Sequence, residues 1–173
     1  MYEKIKQHIR DIKDFPKPGI VFKDITPALA DGQCLQQIVD IFYNRFKGAK
    51  IDKIAVIESR GFLLGAPLAY KLGCGIVLLR KPGKLPSEKI KEYYNLEYGS
   101  AALEVHSDSI KTGERVLIID DLLATGGTTE AACKLIKRLK GNIIAMAFLI
   151  ELSELSGSSK LSSYGDVVSF LKY

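Results

Sequence analysis

The sequence predicts an α/β fold: a single domain with a central, mostly parallel sheet flanked by helices. Three observations predict it. Val116, Leu117, Ile118 and Ile119 form an uninterrupted aliphatic run, as in a strand buried on both faces of a parallel sheet. That run leads through Asp120 and Asp121 into a Gly-rich turn and then a segment where Ala132, Leu135, Ile136 and Leu139 repeat at i, i+3, i+4 and i+7, one apolar face of a helix. The same plan of strand, polar turn and helix occurs earlier, over 53–57, then Glu58, Ser59, Arg60 and Gly61, then onward to Leu72. A length of 173 residues suits one domain with a sizeable core.

Taken in order, residues 2–13 predict a helix, with Ile5, Ile9 and Ile12 at i, i+4 and i+7. Pro16, Pro18 and Gly19 break it. Residues 15–27 then read as an irregular loop, too apolar for open surface and expected to cover something. Residues 33–47 predict a second helix with Leu35, Ile38, Val39, Phe42 and Phe46 on one side. After the helix ending near Leu72 comes a strand over 75–79 and a basic loop of Arg80, Lys81, Pro82, Gly83 and Lys84. Residues 92–106 predict a hairpin: Tyr94, Leu96 and Tyr98 alternate and Gly99-Ser100 turns the chain. Such a ribbon is expected to have few core contacts and to act as a mobile flap. In the helix after the Gly-rich turn, Lys134, Lys137, Arg138 and Lys140 read as its solvated face. A strand over 143–150, a Ser-rich stretch over 153–163 and a strand over 167–171 complete the chain; this tail shows no chemistry.

Composition narrows the class. The chain is 47% hydrophobic, yet no run approaches the roughly 18 apolar residues of a membrane span. The start, MYEKIKQHIRDIK, is charged throughout, unlike a signal peptide, so a cytoplasmic protein is expected, with no membrane partner. Cys34, Cys74 and Cys133 are far apart, and the only histidines are His8 and His106. Packing residues are expected rather than a zinc site or disulfide framework. The net charge of +5 suits a polyanionic ligand or weak nucleic-acid binding, so it decides little. The motifs G-x-x-x-x-G-K-[ST], G-x-G-x-x-G after the first strand and G-x-S-x-G are absent, which disfavours a P-loop triphosphatase, a dinucleotide fold and an esterase.

The chemistry concentrates where ligands sit in open α/β sheets, outside the carboxyl ends of the strands. Thr125, Gly126, Gly127, Thr128 and Thr129 open a helix, so bare amides at its positive end form a phosphate cradle. Asp120 and Asp121 do not bind phosphate; they suit hydroxyl groups, or a Mg²⁺ shared with a phosphate. Together they describe a sugar phosphate. Ser59, Arg60 and Gly61 add amides and a guanidinium suited to a second phosphate or a pyrophosphate.

The sequence D-D-x-x-A-T-G-G-T after a hydrophobic run resembles the 5-phosphoribosyl-1-pyrophosphate (PRPP) signature of the type I phosphoribosyltransferases, and the resemblance extends over nearly the whole chain. It implies that family's fold, with an N-terminal helix and base-covering hood over 1–32 and a core over 33–173 whose flap spans about 81–106. It implies a 5′-phosphate site at Ala124, Thr125, Gly126, Gly127 and Thr128, and catalytic roles for Asp120, Asp121 and Glu97. Pyrophosphate is then expected at Ser59, Arg60, Gly61, Arg80, Lys81 and Lys84, the basic loop often serving the neighbouring subunit of a dimer. The segment F-P-K-P-G-I-V-F-K-D-I is similar to a purine hood, so Phe15, Ile20, Val21, Phe22 and Lys23, with Arg60 and Leu122, are expected around the base. The segment N-L-E-Y-G, holding Glu97 and Tyr98, is similar to the family's catalytic flap.

The reaction implied is transfer of the phosphoribosyl group from PRPP to adenine, giving AMP and pyrophosphate in purine salvage. Mg²⁺ is the implied cofactor, reaching Asp120 and Asp121 through water or ribose hydroxyls, and a homodimer is expected. Two alternatives stand beside this: the same transfer to hypoxanthine, guanine or xanthine, and a PRPP-binding nucleic-acid regulator. The length, which leaves no room for an added winged-helix module, argues against the regulator.

Overall fold

The computed structural model describes residues 2–95 and 100–173. The chain divides into two compact units, Met1–Arg45 and Phe46–Tyr173. The division falls later than the expected 32/33 boundary, because most of the helix assigned to the core belongs to the first unit.

In the first unit, helix α1 (Tyr2–Gln7) is shorter than predicted. Strand β1 (Arg10–Lys13) follows and pairs antiparallel with β2 (Val21–Asp24). The isoleucine spacing fits a helix, but cross-strand charge complementarity favours the ribbon. Arg10 stands opposite Asp24 and Asp11 opposite Lys23, in ion pairs of 2.6 Å and 2.7 Å. The supposed loop over 15–27 therefore contains β2 and the start of α2 (Thr26–Ala30). Between the strands, Asp14 Oδ1 accepts the Gly19 N–H at 2.8 Å, and Phe15 meets the Phe22 ring edge-on at 5.3 Å. In α3 (Gly32–Phe46), Cys34, Ile38, Val39 and Phe42 are buried.

The second unit contains, in order, β3 (Lys53–Ile57), α4 (Arg60–Leu72), β4 (Gly75–Leu79), β5 (Lys89–Asn95), β6 (Ser100–His106), β7 (Arg115–Leu123), α5 (Gly127–Arg138), β8 (Asn142–Glu151), α6 (Gly157–Leu161) and β9 (Asp166–Lys172). Five strands form a sheet in the order β4-β3-β7-β8-β9, with every neighbouring pair parallel. β7 is central, and Val116, Leu117, Ile118 and Ile119 are fully buried. The strand runs on beyond its aliphatic stretch and through the acidic pair to Leu123. Its pairing with β8 continues through Asp120, Leu122 and Leu123. The pleat therefore sends neighbouring side chains to opposite faces, leaving Asp120 and Leu122 partly exposed and Asp121 and Leu123 buried.

The β5–β6 ribbon differs from the expected loose flap. Its described residues are anchored: Leu103 and Val105 are in the core cluster, and Ile90 and Tyr94 pack against it with Leu135 and Ile136 of α5. Each fully buried aliphatic side chain contributes about 1.5–3 kcal/mol, enough to hold the base of the ribbon on α5. Lys137 and Arg138 at the end of α5, and Lys140 just beyond it, are exposed, as expected, and this face also has partners. Arg138 and Lys134 reach Glu92 at 3.3 Å and 3.9 Å, and Lys137 lies 4.5 Å from the Tyr164 ring. Cys34 and Cys133 are buried, Cys74 is half-buried, and all three thiols are free; burial pushes Cys133 up to about 12.

Candidate active site

The turn from β7 to α5 is shaped by Gly126, whose φ of +81° caps the helix start. Only glycine adopts that conformation without cost. Its carbonyl accepts the Glu130 N–H at 2.8 Å, so the helix begins at once and its first amides remain free for an anion. The five predicted turn residues, Ala124 to Thr128, line a cavity of about 80 Å³ together with Thr129. Asp120, Leu122 and Thr128 line this cavity and also a second one of about 460 Å³.

The second cavity brings Ser59, Arg60 and Lys81 to the acidic pair. Gly61 lines neither cavity and has a different task. A Cβ there would lie 2.9 Å from the Ile119 carbonyl oxygen and 3.1 Å from Asp120 Oδ1, so its bareness lets α4 press against β7. That approach lets Arg60 Nε form an ion pair with Asp121 Oδ2. The cation at this helix start, unfavourable by itself, is thereby neutralised. The Asp121 N–H donates to Asp120 Oδ1 at 2.9 Å. Burial and then the neighbouring Asp121 carboxylate hold Asp120 well above the usual carboxylate range.

Arg80 and Lys84 do not line this cavity themselves but bind a residue that does. Both pair with Glu58, at 2.9 Å and 3.1 Å, and the Arg80 guanidinium sits 5.8 Å from the Phe62 ring. Burial opposes the Glu58 charge, but hydrogen bonds from Arg80, the Lys81 backbone and Lys84 outweigh it and hold the carboxyl below its usual range. The Glu58–Ser59 peptide is cis. Glu58 and Tyr94 line the cavity without having been assigned a role from sequence. For Glu58 the signal was present: an acid at the carboxyl end of a buried parallel strand, as with Asp120 in β7. A wider hollow of about 600 Å³ lies on the ribbon around Lys89, Lys91 and Glu104, with none of the predicted site residues among its described lining.

Phe15, Val21, Phe22 and Lys23 lie in the first unit. Phe15, Ile20 and Val21 are exposed, Phe22 is half-buried, and Lys23 pairs with Asp11. Glu97 and Tyr98 lie outside the described residues. Among the described residues no group of three or more His, Cys, Asp or Glu side chains is placed to hold a metal.

Residues 28–171 match the family model of the phosphoribosyl transferase domain. The chain is 54% identical over 171 residues to the adenine phosphoribosyltransferase of Geobacter metallireducens, covering 99% of each sequence. It matches the crystal structure of adenine phosphoribosyltransferase from Thermoanaerobacter pseudethanolicus at a TM-score of 0.97 and 50% identity, covering 100% of both chains. The Saccharomyces cerevisiae enzyme, crystallised with adenine and an imino-altritol bisphosphate, matches at a TM-score of 0.90 and 38% identity, over 98% of this chain and 97% of that one. A parallel sheet with a Gly-rich turn and an acidic pair on its central strand, and full-length likeness to these proteins, place the chain in the phosphoribosyltransferase family, among the adenine phosphoribosyltransferases.

Proposed function

We propose that the protein transfers the 5-phosphoribosyl group of PRPP to adenine, releasing AMP and pyrophosphate. The observation that carries this reading is the shared wall of the two cavities, which joins the phosphate turn to the acidic pair through Asp120, Leu122 and Thr128. A ribose 5-phosphate needs that adjacency. Its phosphate takes the amides of residues 125–129, and its 2′- and 3′-hydroxyls face Asp120 and Asp121. Ser59, Arg60 and Lys81, in the wall of the larger cavity, take the pyrophosphate. The exposed apolar surface of Phe15, Ile20 and Val21, with Phe22, supports a role in holding a flat base.

The rate comes from placement and electrostatics more than from covalent chemistry. As the bond from C1′ to the pyrophosphate oxygen breaks, the sugar becomes cationic, and the carboxylates of the pair lie where that charge is stabilised. Arg60 fixes Asp121, and the Asp121 amide fixes Asp120. Mg²⁺ fits this donor set: two adjacent carboxylates with no third ligand grouped with them among the described residues suit an ion that keeps waters and arrives with substrate phosphates. When bound it would neutralise leaving-group charge. The exposed Leu63 and Tyr70 of α4, and Ile76 and Leu78 of β4, at the sheet edge, support a homodimer. Among the described residues no helix is long and apolar enough to cross a membrane.

The test is incubation with PRPP, Mg²⁺ and each purine in turn. AMP and pyrophosphate appear with adenine. Turnover with hypoxanthine or guanine but not adenine would overturn the choice of base. Silence with every purine, joined by salt-dependent nucleic-acid binding, would overturn the enzyme reading.

A further inference from the structure

We propose that Gly157, at the start of the short helix α6, is a positioning residue for the phosphate turn, and that the Ser-rich segment around it is a wedge setting the turn's shape. This deepens the proposed function and rests on it for the identity of the ligand. The back of the turn is formed by the Gly157 backbone. A Cβ at Gly157 would collide with the Ala124 carbonyl oxygen, and would stand 2.9 Å from Leu123 Cδ1 and 3.1 Å from the Gly126 nitrogen. The fit is reciprocal, since a Cβ at Gly126 would stand 3.0 Å from the Gly157 carbonyl oxygen and 3.5 Å from Leu161 Cγ. Two glycines thus face each other across one contact, and one of them belongs to the phosphate-binding turn.

The wedge is tied down on both sides. Lys160 Nζ reaches Glu130 Oε2, in the first turn of α5, at 2.9 Å. Glu151, buried at the end of β8, is held below the usual carboxylate range despite that burial, in part by the Ser158 hydroxyl of the wedge. Just before the wedge, the Leu152 N–H donates to the Leu123 carbonyl at 2.9 Å. Leu161 is fully buried beneath the segment. These contacts hold α6 against the peptides of residues 124–126, whose amides must point at the anion. A methyl group at position 157 has to displace either α6 or the Ala124 peptide, and with it the neighbouring amides that would hold the anion.

The test is Gly157→Ala, with Gly48→Ala as control, because a Cβ at Gly48 meets nothing within 4 Å. Ribose 5-phosphate binding is read by calorimetry, and KM and kcat by pyrophosphate release. Gly157→Ala should weaken ribose 5-phosphate binding and raise KM for PRPP at least about tenfold, leaving KM for adenine within about twofold and kcat within about threefold, the mark of lost ground-state binding. An unchanged ribose 5-phosphate affinity in a folded Gly157→Ala protein overturns the inference, as does an equal loss for adenine and PRPP. If circular dichroism shows that variant unfolded, Ser158→Ala with Lys160→Ala decides. Loosening the wedge should then raise KM for PRPP about threefold, and an unchanged KM overturns the inference. A wild-type protein that binds ribose 5-phosphate but turns over no purine removes the proposed activity and leaves the wedge standing. A wild-type protein that turns over, paired with an unaffected Gly157→Ala, removes the wedge alone.

Discussion

Removing Arg60 is the perturbation whose size the geometry defines best. Asp121 is buried, its side chain 5% exposed, while the Arg60 side chain that neutralises it is 37% exposed. Breaking a fully buried ion pair costs about 3–5 kcal/mol, because a charge is left unpaired. Water reaching the guanidinium screens part of this, so about 2 kcal/mol is expected for Arg60→Ala, or a fall in Tm of about 4–8 °C for a chain of this size. The pH dependence has a definite sign. Arg60 counters the burial and the Asp121 charge that raise the Asp120 carboxyl, so without the guanidinium that carboxyl is pushed further above its unfolded value. The penalty is then absent below the unfolded pKa and develops as pH rises through the folded one. The gap between variant and wild type should widen as pH rises through the raised folded value of Asp120 and close below the ordinary carboxylate range. A double-mutant cycle of Arg60→Ala with Asp121→Asn, followed by denaturant unfolding, should give a coupling of about 2 kcal/mol. A coupling below about 0.5 kcal/mol, or a penalty that does not vary with pH, would refute the view that Arg60 holds the acidic pair in place.

Three further outcomes are expected. Gly126→Val should abolish ribose 5-phosphate binding by calorimetry, since a branched side chain cannot adopt a φ of +81° and its Cβ meets the Gly157 carbonyl at 3.0 Å; retained binding would show that the turn does not wrap the phosphate. Chelation of Mg²⁺ by EDTA should stop pyrophosphate release and excess Mg²⁺ should restore it, while Tm in the absence of ligands stays within about 1 °C because no cluster of metal-binding side chains supports the fold among the described residues. Acid should destabilise the protein through Glu58, Glu104 and Glu151. In each, burial is outweighed by partners that hold the carboxyl below its usual range. Their contribution is therefore present above the unfolded pKa and lost as pH falls through the folded value. Glu104→Gln should flatten the acid limb of a Tm-against-pH curve, and an unaltered limb would exclude Glu104 as a source.

The sheet was legible because its strands carry the plainest pattern a chain offers. The runs at 53–57 and 116–119 are apolar without break, and a strand buried on both faces needs nothing more. Gly126 announced its turn, since a Gly-Gly pair between a strand and an amphipathic helix has few other uses. The start of the chain misled because Ile5, Ile9 and Ile12 satisfy a helical period, while the pairings that make β1 a strand involve Asp24 and Lys23, more than ten residues further on. Arg60 was legible as a cation at a helix start, but its pairing with Asp121 was not, because that pair depends on how closely Gly61 lets α4 approach β7. Gly157 was invisible for a similar reason: nothing in G-S-S-K-L says that another glycine stands against it.

Helix α5 has a consequence that follows from its double placement. Its first residues border the phosphate turn, while Ala132, Cys133, Leu135 and Ile136 are fully buried within the main core. Occupancy and global unfolding are therefore linked through one rigid rod. Any compound seated at its tip draws the whole folded population with it, by about 2.7 kcal/mol at a hundred times its dissociation constant. A simple melting curve in the presence of candidate anions thus doubles as a ligand screen, before any product is assayed.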